Sequence, residues 1–201
     1  MDYEAQTDEE LAECCLGGDE RAARELVSRF ERPLFSLIRR TVRDQELAED
    51  LAQEAFVRAF NNLDSFDPSY QFSSWLFKIG HNLAIDHVRK KGLDTVSIEG
   101  APDAVSRERQ EATSITLEAR GERPDEVTEA RALGDEIEAA IGELRPEYRT
   151  AVTLRHIEGY SYREIADIMD KPLGTVKTYI HRARGELQDR LSHLRPNGSE
   201  A

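Results

Sequence analysis

Apolar residues recur at three- and four-residue steps along most of the chain and almost nowhere alternate as they would in a strand. Leu47, Leu51, Ala55, Phe56, Ala59 and Phe60 form the plainest stripe, that of an amphipathic helix packed on a core. Ala22, Leu26 and Phe30, then Leu34, Phe35 and Ile38, form another, which Pro33 is expected to interrupt. Thr7 and Glu10 make a capping box that opens a short helix, and Gly17-Gly18 closes it. After a turn-rich stretch from Asn61 to Gln71, a helix from Ser73 carries Trp75, Leu76, Ile79, Leu83, Ile85 and Val88 to the basic end Arg89-Lys90-Lys91-Gly92. Periodicity then lapses: residues 93–128 are rich in Gly, Pro, Ser, Thr and acids, the composition of a flexible linker. It returns with Leu133, Ile137, Ala140, Ile141 and Leu144, and beyond Pro146 with Tyr148, Val152 and Leu154. The pattern predicts an all-α protein of two small helical domains, at 21–92 and 129–192, joined by a flexible acidic linker. Residues 1–20 read as an acidic N-terminal extension with a short helix, and 193–201 as a disordered tail.

The stretch Gly159–Leu187 carries the most chemistry. Ser161 and Glu164 form a second capping box, and Ile165, Ala166 and Met169 follow on one helical face. Pro172 has no N–H and pushes Lys171 out of helical geometry, so that helix must stop near Asp170. A new helix then begins around Leu173–Thr175, burying Val176, Ile180, Ala183 and Leu187. Lys177, Thr178, His181, Arg182 and Arg184 are left facing outward. Two helices joined by a tight turn, the second basic on its outer face, are the parts of a DNA-binding helix-turn-helix.

Charge at first opposes that conclusion, because 27 Lys+Arg against 40 Asp+Glu give a net −13 and DNA repels acidic proteins. The acids are concentrated. Residues 1–20 hold eight acids and no Lys or Arg, and residues 94–129 hold ten acids against four arginines, so the remainder is close to neutral. Two basic patches survive, one from Phe77 to Lys91 and one from Lys171 to Arg190. No run approaches the ~18 apolar residues of a membrane span, and no signal peptide opens the chain, so direct membrane insertion is not expected and the cytoplasm is. Adjacent Cys14 and Cys15 lack partners at disulfide or metal-ligand spacing and read as small side chains on a helix's apolar face. There is no phosphate-binding glycine loop, metal-ligand cluster or nucleophile–base pair, so no enzyme, metal or cofactor is expected.

The first domain offers a second nucleic-acid surface. Phe66, Tyr70, Phe72 and Trp75 lie on and beside a loop that leads into the basic helix. Rings beside Lys and Arg suit single-stranded nucleic acid, whose bases stack while its phosphates are neutralised. The same rings also suit the core of a small helical domain.

Asp50-Leu-Ala-Gln-Glu-Ala-Phe56, followed by Phe72-Ser-Ser-Trp-Leu-Phe-Lys-Ile-Gly-His-Asn-Leu-Ala-Ile-Asp86, resembles region 2 of bacterial RNA polymerase sigma factors. Gly159-Tyr-Ser-Tyr-Arg-Glu-Ile-Ala, with Leu-Gly-Thr-Val-Lys-Thr-Tyr-Ile-His-Arg-Ala-Arg184, resembles their region 4. Having these two regions and a short linker, the chain is similar to the extracytoplasmic-function (ECF) subgroup. The resemblance implies that Asp50, Gln53 and Glu54 grip the clamp coiled coil of the polymerase β′ subunit. It implies that the 62–72 loop captures a base flipped from the −10 element, with Phe66, Tyr70, Phe72 and Trp75 around it. Asn82 would read a base, Arg89 and Lys90 would contact phosphate, and Asp86 would limit the sequences tolerated.

In region 4 the resemblance implies −35 recognition by Thr175, Lys177, Thr178, His181 and Arg182, with Arg163 on backbone phosphate. Implied partners are core RNA polymerase (its β′ clamp coiled coil and β flap), promoter DNA and an anti-sigma factor. The acidic linker would thread the polymerase cleft, either as an RNA mimic or simply as a solvated tether. A stand-alone helix-turn-helix regulator, dimeric on an operator, is the alternative, and it leaves Asp50–Phe56 unexplained.

Overall fold

A computed structural model describes residues 2–98 and 124–194. Eight α-helices account for the ordered elements, with two single 3-10 turns, and no strand occurs among the described residues. They are α1 (Asp8–Leu16), α2 (Glu20–Val42), α3 (Gln45–Asn61), α4 (Phe72–Ile98), α5 (Pro124–Gly142), α6 (Pro146–His156), α7 (Tyr162–Met169) and α8 (Leu173–Arg190). The 3-10 turns are Leu63–Ser65, between α3 and α4, and Ser192–Leu194 after α8.

Local chemistry sets most of the boundaries. Both capping boxes form: Thr7 Oγ1 accepts the Glu10 N–H at 3.2 Å and Ser161 Oγ accepts the Glu164 N–H at 3.3 Å, each answered by the glutamate. Asp44 opens α3 by accepting the Leu47 N–H at 3.1 Å. Gly18, at φ 84°, takes the left-handed backbone that ends the first helix, and Asp170, at φ 50°, does so for α7. Pro33 departs from expectation, since α2 runs through it unbroken. The ring removes one helical hydrogen bond, but Leu26 on one side and Leu34, Leu37 and Ile38 on the other are all buried, and that burial holds the helix across the defect.

The first domain reaches beyond 21–92 at both ends. The short helix expected in the acidic N-terminal extension forms and joins the core: Leu11 and Ala12 are fully buried, and α1 packs on α2. Cys14 and Cys15 are half-buried against that core, and burial pushes the Cys15 thiol up to about 11. Helical backbone also continues past Gly92 to Ile98 and resumes at Pro124, so both ends of the supposed linker are helix. The rest of that linker, residues 99–123, and the tail from 195 on lie outside the described residues.

The two helical units pack on one another. The buried cluster around Leu26, Leu37 and Phe72 continues without a break into Leu154, Ile165, Ile168 and Met169. Where α2 meets α6, Arg149 donates through Nη1 to the carbonyls of Arg40 (2.7 Å) and Thr41 (3.2 Å), and through Nη2 to that of Leu144 (2.7 Å). The carbonyls of Arg40 and Thr41 lie in the last turn of α2, where they lack intrahelical donors and carry the negative end of the dipole, and that of Leu144 lies in the turn between α5 and α6. Arg40 in turn grips the Glu138 carboxylate, and Thr41 and Thr150 hydroxyls meet at 3.3 Å. Where α4 meets α7, the Phe77 and Tyr160 rings lie 5.4 Å apart and Lys78 faces Asp170 at 3.9 Å.

Candidate nucleic-acid interface

Helix α8 presents its outer face as its periodicity requires. Val176, Ile180 and Ala183 are buried, which turns Lys177, Thr178, His181 and Arg182 outward, and all four are exposed. Thr178 spends its hydroxyl proton on the Gly174 carbonyl (2.9 Å), and Arg182 donates to the Tyr148 hydroxyl at 3.2 Å, which steadies its long side chain. Arg163 on α7 is exposed as well, whereas Thr175 is half-buried. The structure adds Tyr162, which periodicity had not brought to this face, and confirms Arg184 there. Tyr162 and Arg184 line one shallow groove with Lys177 and His181, and the Arg155 guanidinium sits 5.2 Å over the Tyr162 ring. Nearby His156 is held below the usual imidazole range by burial and then by the Arg184 and Arg155 charges.

The loop and α4 behave differently. Phe66 and Phe72 are buried: of the two places the sequence left open for these rings, stacking surface or core, they take the core. They pack with Trp75, which is half-buried, at ring separations of 5.4–5.8 Å, and Phe30 of α2 joins Phe72 at 5.8 Å. Such clusters contribute beyond area burial, and this one closes the hydrophobic core of the first unit. Tyr70 alone of the four rings projects, with 64% of its surface exposed. An Asx turn holds it there: Asp67 accepts the Ser69 N–H at 2.9 Å, which also lowers its carboxyl pKa, and the Tyr70 N–H reaches the Asp67 carbonyl at 3.0 Å. One helical turn apart on α4, Asn82, Asp86, Arg89 and Lys90 form a continuous exposed face. His81, beside Asn82, points the other way into the core, where burial holds its imidazole at about 4.

Asp50, Gln53 and Glu54 are all exposed on α3, opposite buried Leu51, Ala52, Ala55 and Phe56. Glu54 pairs with Arg58 at 2.5 Å. Val57 completes the strip at 57% exposure, an apolar residue on a polar face that the sequence showed but that did not stand out there. A second exposed apolar surface lies between α5, α6 and α8, where Ile137, Ile141, Ile157, Leu187 and Leu191 line a groove and Leu133 lies exposed on the same helix.

Comparisons agree with this division of the chain. Residues 26–93 match the sigma-70 region 2 family and residues 134–187 match sigma-70 region 4. The ECF RNA polymerase sigma factor SigW of Bacillus subtilis is 37% identical over 88% of this chain and 92% of its own length. The RNA polymerase sigma-H factor of Pseudomonas aeruginosa is 36% identical over 94% of this chain and 96% of that protein. Among solved structures, CnrH in complex with the cytosolic domain of CnrY superimposes with a TM-score of 0.64 at 26% identity, covering 94% of this chain and 99% of that one. The sigma factor RpoE of Bartonella quintana, solved with the anti-sigma factor NepR, shares the fold at a TM-score of 0.65 and 24% identity, over 86% and 98% of the two chains. With two region models matched in order and relatives aligned over nearly their whole length, this chain belongs to the ECF sigma factors of bacterial RNA polymerase.

Proposed function

We propose that the chain binds core RNA polymerase and directs it to promoters, holding −35 duplex on α8 and melted −10 strand on the 62–71 loop and the outer face of α4. The observation that carries this reading is the pairing, in one chain, of two exposed DNA-suited faces with an exposed contact strip on α3 that faces neither core. Lys177, His181 and Arg182, with Arg163 behind them, supply base-edge and phosphate contacts in the major groove. On the other unit Tyr70 offers a stacking face, Asn82 an amide that can pair two ways with a base edge, and Arg89 and Lys90 phosphate contacts. Asp50, Gln53, Glu54 and Val57 meet the β′ clamp coiled coil, and the groove lined by Ile137 and Ile157 receives the β flap. An anti-sigma factor is a further partner, as the ECF resemblance implies.

The elements lie roughly 25 base pairs apart, on the order of 85 Å of B-form DNA. In this structure α7 rests directly on α4, so the two units must part for both elements to be read at once. Polymerase binding would supply the free energy for that separation.

The direct test adds the protein to sigma-free core polymerase and maps transcript 5′ ends on genomic DNA. Promoter-specific initiation with a shared upstream motif is expected, and unspecific initiation would refute the assignment. Lys177→Ala with Arg182→Ala should lower initiation at those promoters by about 30-fold or more, two contacts at 1–3 kcal/mol each. Both side chains are exposed, so thermal stability should not change.

A further inference from the structure

The N-terminal segment is held more tightly than an acidic extension needs to be, and its anchor leads to the strand-reading loop. Arg29 of α2 uses all five guanidinium donors: Nη1 on the Gln6 carbonyl (2.9 Å) and the Asp8 carboxylate (2.8 Å), Nη2 on the carbonyls of Tyr3 (2.8 Å) and Glu4 (3.2 Å), and Nε on Glu25 (2.8 Å). Tyr3 adds a hydrogen bond from its hydroxyl to Asp19 at 2.8 Å. Thus fixed, α1 lies against α4 and the 3-10 turn at Leu63–Ser65. From it Glu9 extends one carboxylate oxygen to the backbone N–H of Phe72, 63 residues away, at 3.0 Å.

That N–H matters because of its position. Phe72 is the first residue of α4, and its N–H is among those the helix itself cannot satisfy. A carboxylate there also meets the positive end of the helix dipole. Two residues earlier stands Tyr70, the only exposed ring of the loop's aromatic group. The bond from Glu9 therefore fixes the backbone where the loop hands over to the helix, and with it the setting of the Tyr70 ring.

We propose that Glu9, held in place by the Arg29 clamp, is a positioning residue for capture of the melted −10 strand. The proposal rests on the assignment of the 62–71 loop and α4 to that strand. Its test uses holoenzyme assembled from core polymerase and the full chain. The probe is a single-stranded oligonucleotide carrying the downstream motif shared by the mapped promoters, beside a duplex carrying the upstream one. Glu9→Ala should weaken single-strand capture about tenfold or more, the loss of one charge-assisted hydrogen bond. Core affinity and duplex binding should stay unchanged. Glu9→Gln keeps an acceptor oxygen and should recover most of the loss. If Glu9→Ala captures the strand like wild type while Asn82→Ala does not, the positioning role is wrong and the −10 assignment stands. If both variants capture it like wild type, the −10 assignment itself fails. Should Glu9→Ala lower all three affinities together with the melting temperature, the residue merely supports the fold and the proposal falls.

Discussion

The outer face of α8 and the surface made by the 62–71 loop with α4 are assigned to the same macromolecule, yet they are built in opposite ways. On α8 the apolar stripe Val176, Ile180 and Ala183 is complete, so every polar neighbour is pushed outward by the geometry of a single helix. In the loop, four rings lie within ten residues and their spacing does not tell them apart. Phe66 and Phe72 turn inward because Phe30, from a helix more than thirty residues earlier, completes their cluster, and Tyr70 turns outward on an Asx turn. A binding face on a regular helix can be read from spacing, whereas one on a loop depends on which ring the core accepts.

The sharpest way to break this contrast is to exchange ring for methyl at the two kinds of site. Phe72→Ala should cost about 3–5 kcal/mol in stability, as for other buried phenylalanines, seen as a lower denaturant midpoint. Tyr70→Ala should leave that midpoint in place and weaken promoter opening, measured by permanganate reactivity of the −10 thymines. Equal destabilisation by both would mean that the loop is one packed body and Tyr70 no separate surface.

A second test asks whether the two faces ride on one cooperative unit. Arg149→Ala removes two hydrogen bonds to α2 carbonyls and one to Leu144. It should lower stability by about 3 kcal/mol, and calorimetry should resolve two transitions in place of one. An unchanged single transition would show that apolar packing alone couples the units. Burial also holds the Arg149 guanidinium pKa down, to about 10, the nearby Arg43 charge adding to the effect.

The smallest expected effect concerns the seam between α4 and α7. Burial holds His81 at about 4, with the Lys171 and Arg89 charges acting the same way. Above pH 6.5 the imidazole is neutral in both folded and unfolded chains, so folding carries no proton penalty there. As pH falls from 6.5 towards 4, the unfolded chain takes up a proton that the folded one refuses. Stability should therefore drop, by on the order of 2 kcal/mol at pH 5. His81→Leu should flatten that part of the stability–pH curve, and an unaltered curve would place the acid sensitivity elsewhere.

Much of this was legible in the chain itself. Both capping boxes, the stop at Asp170 and the outward set Lys177, Thr178, His181 and Arg182 follow from residue types a few positions apart. So do Asp50, Gln53 and Glu54, which lie opposite an apolar stripe on the same helix. Pro33 misled because its penalty is local while the burial that outweighs it lies on both sides. Acid content misled at residues 1–20, where Asp8 and Asp19 are spent on Arg29 and Tyr3 and Glu9 on the Phe72 backbone.

By itself, then, the sequence determined the helices, their caps and the polar faces opposite their apolar stripes, because those depend on interactions within about four residues. Tertiary structure alone decided that Phe66 and Phe72 are core, that Arg149 ends on the carbonyls of another helix, and that Glu9 caps α4 from 63 residues away. Those outcomes rest on partners distant in sequence, which no local pattern specifies, and on burial, which rewards whichever ring or donor the closed core can satisfy.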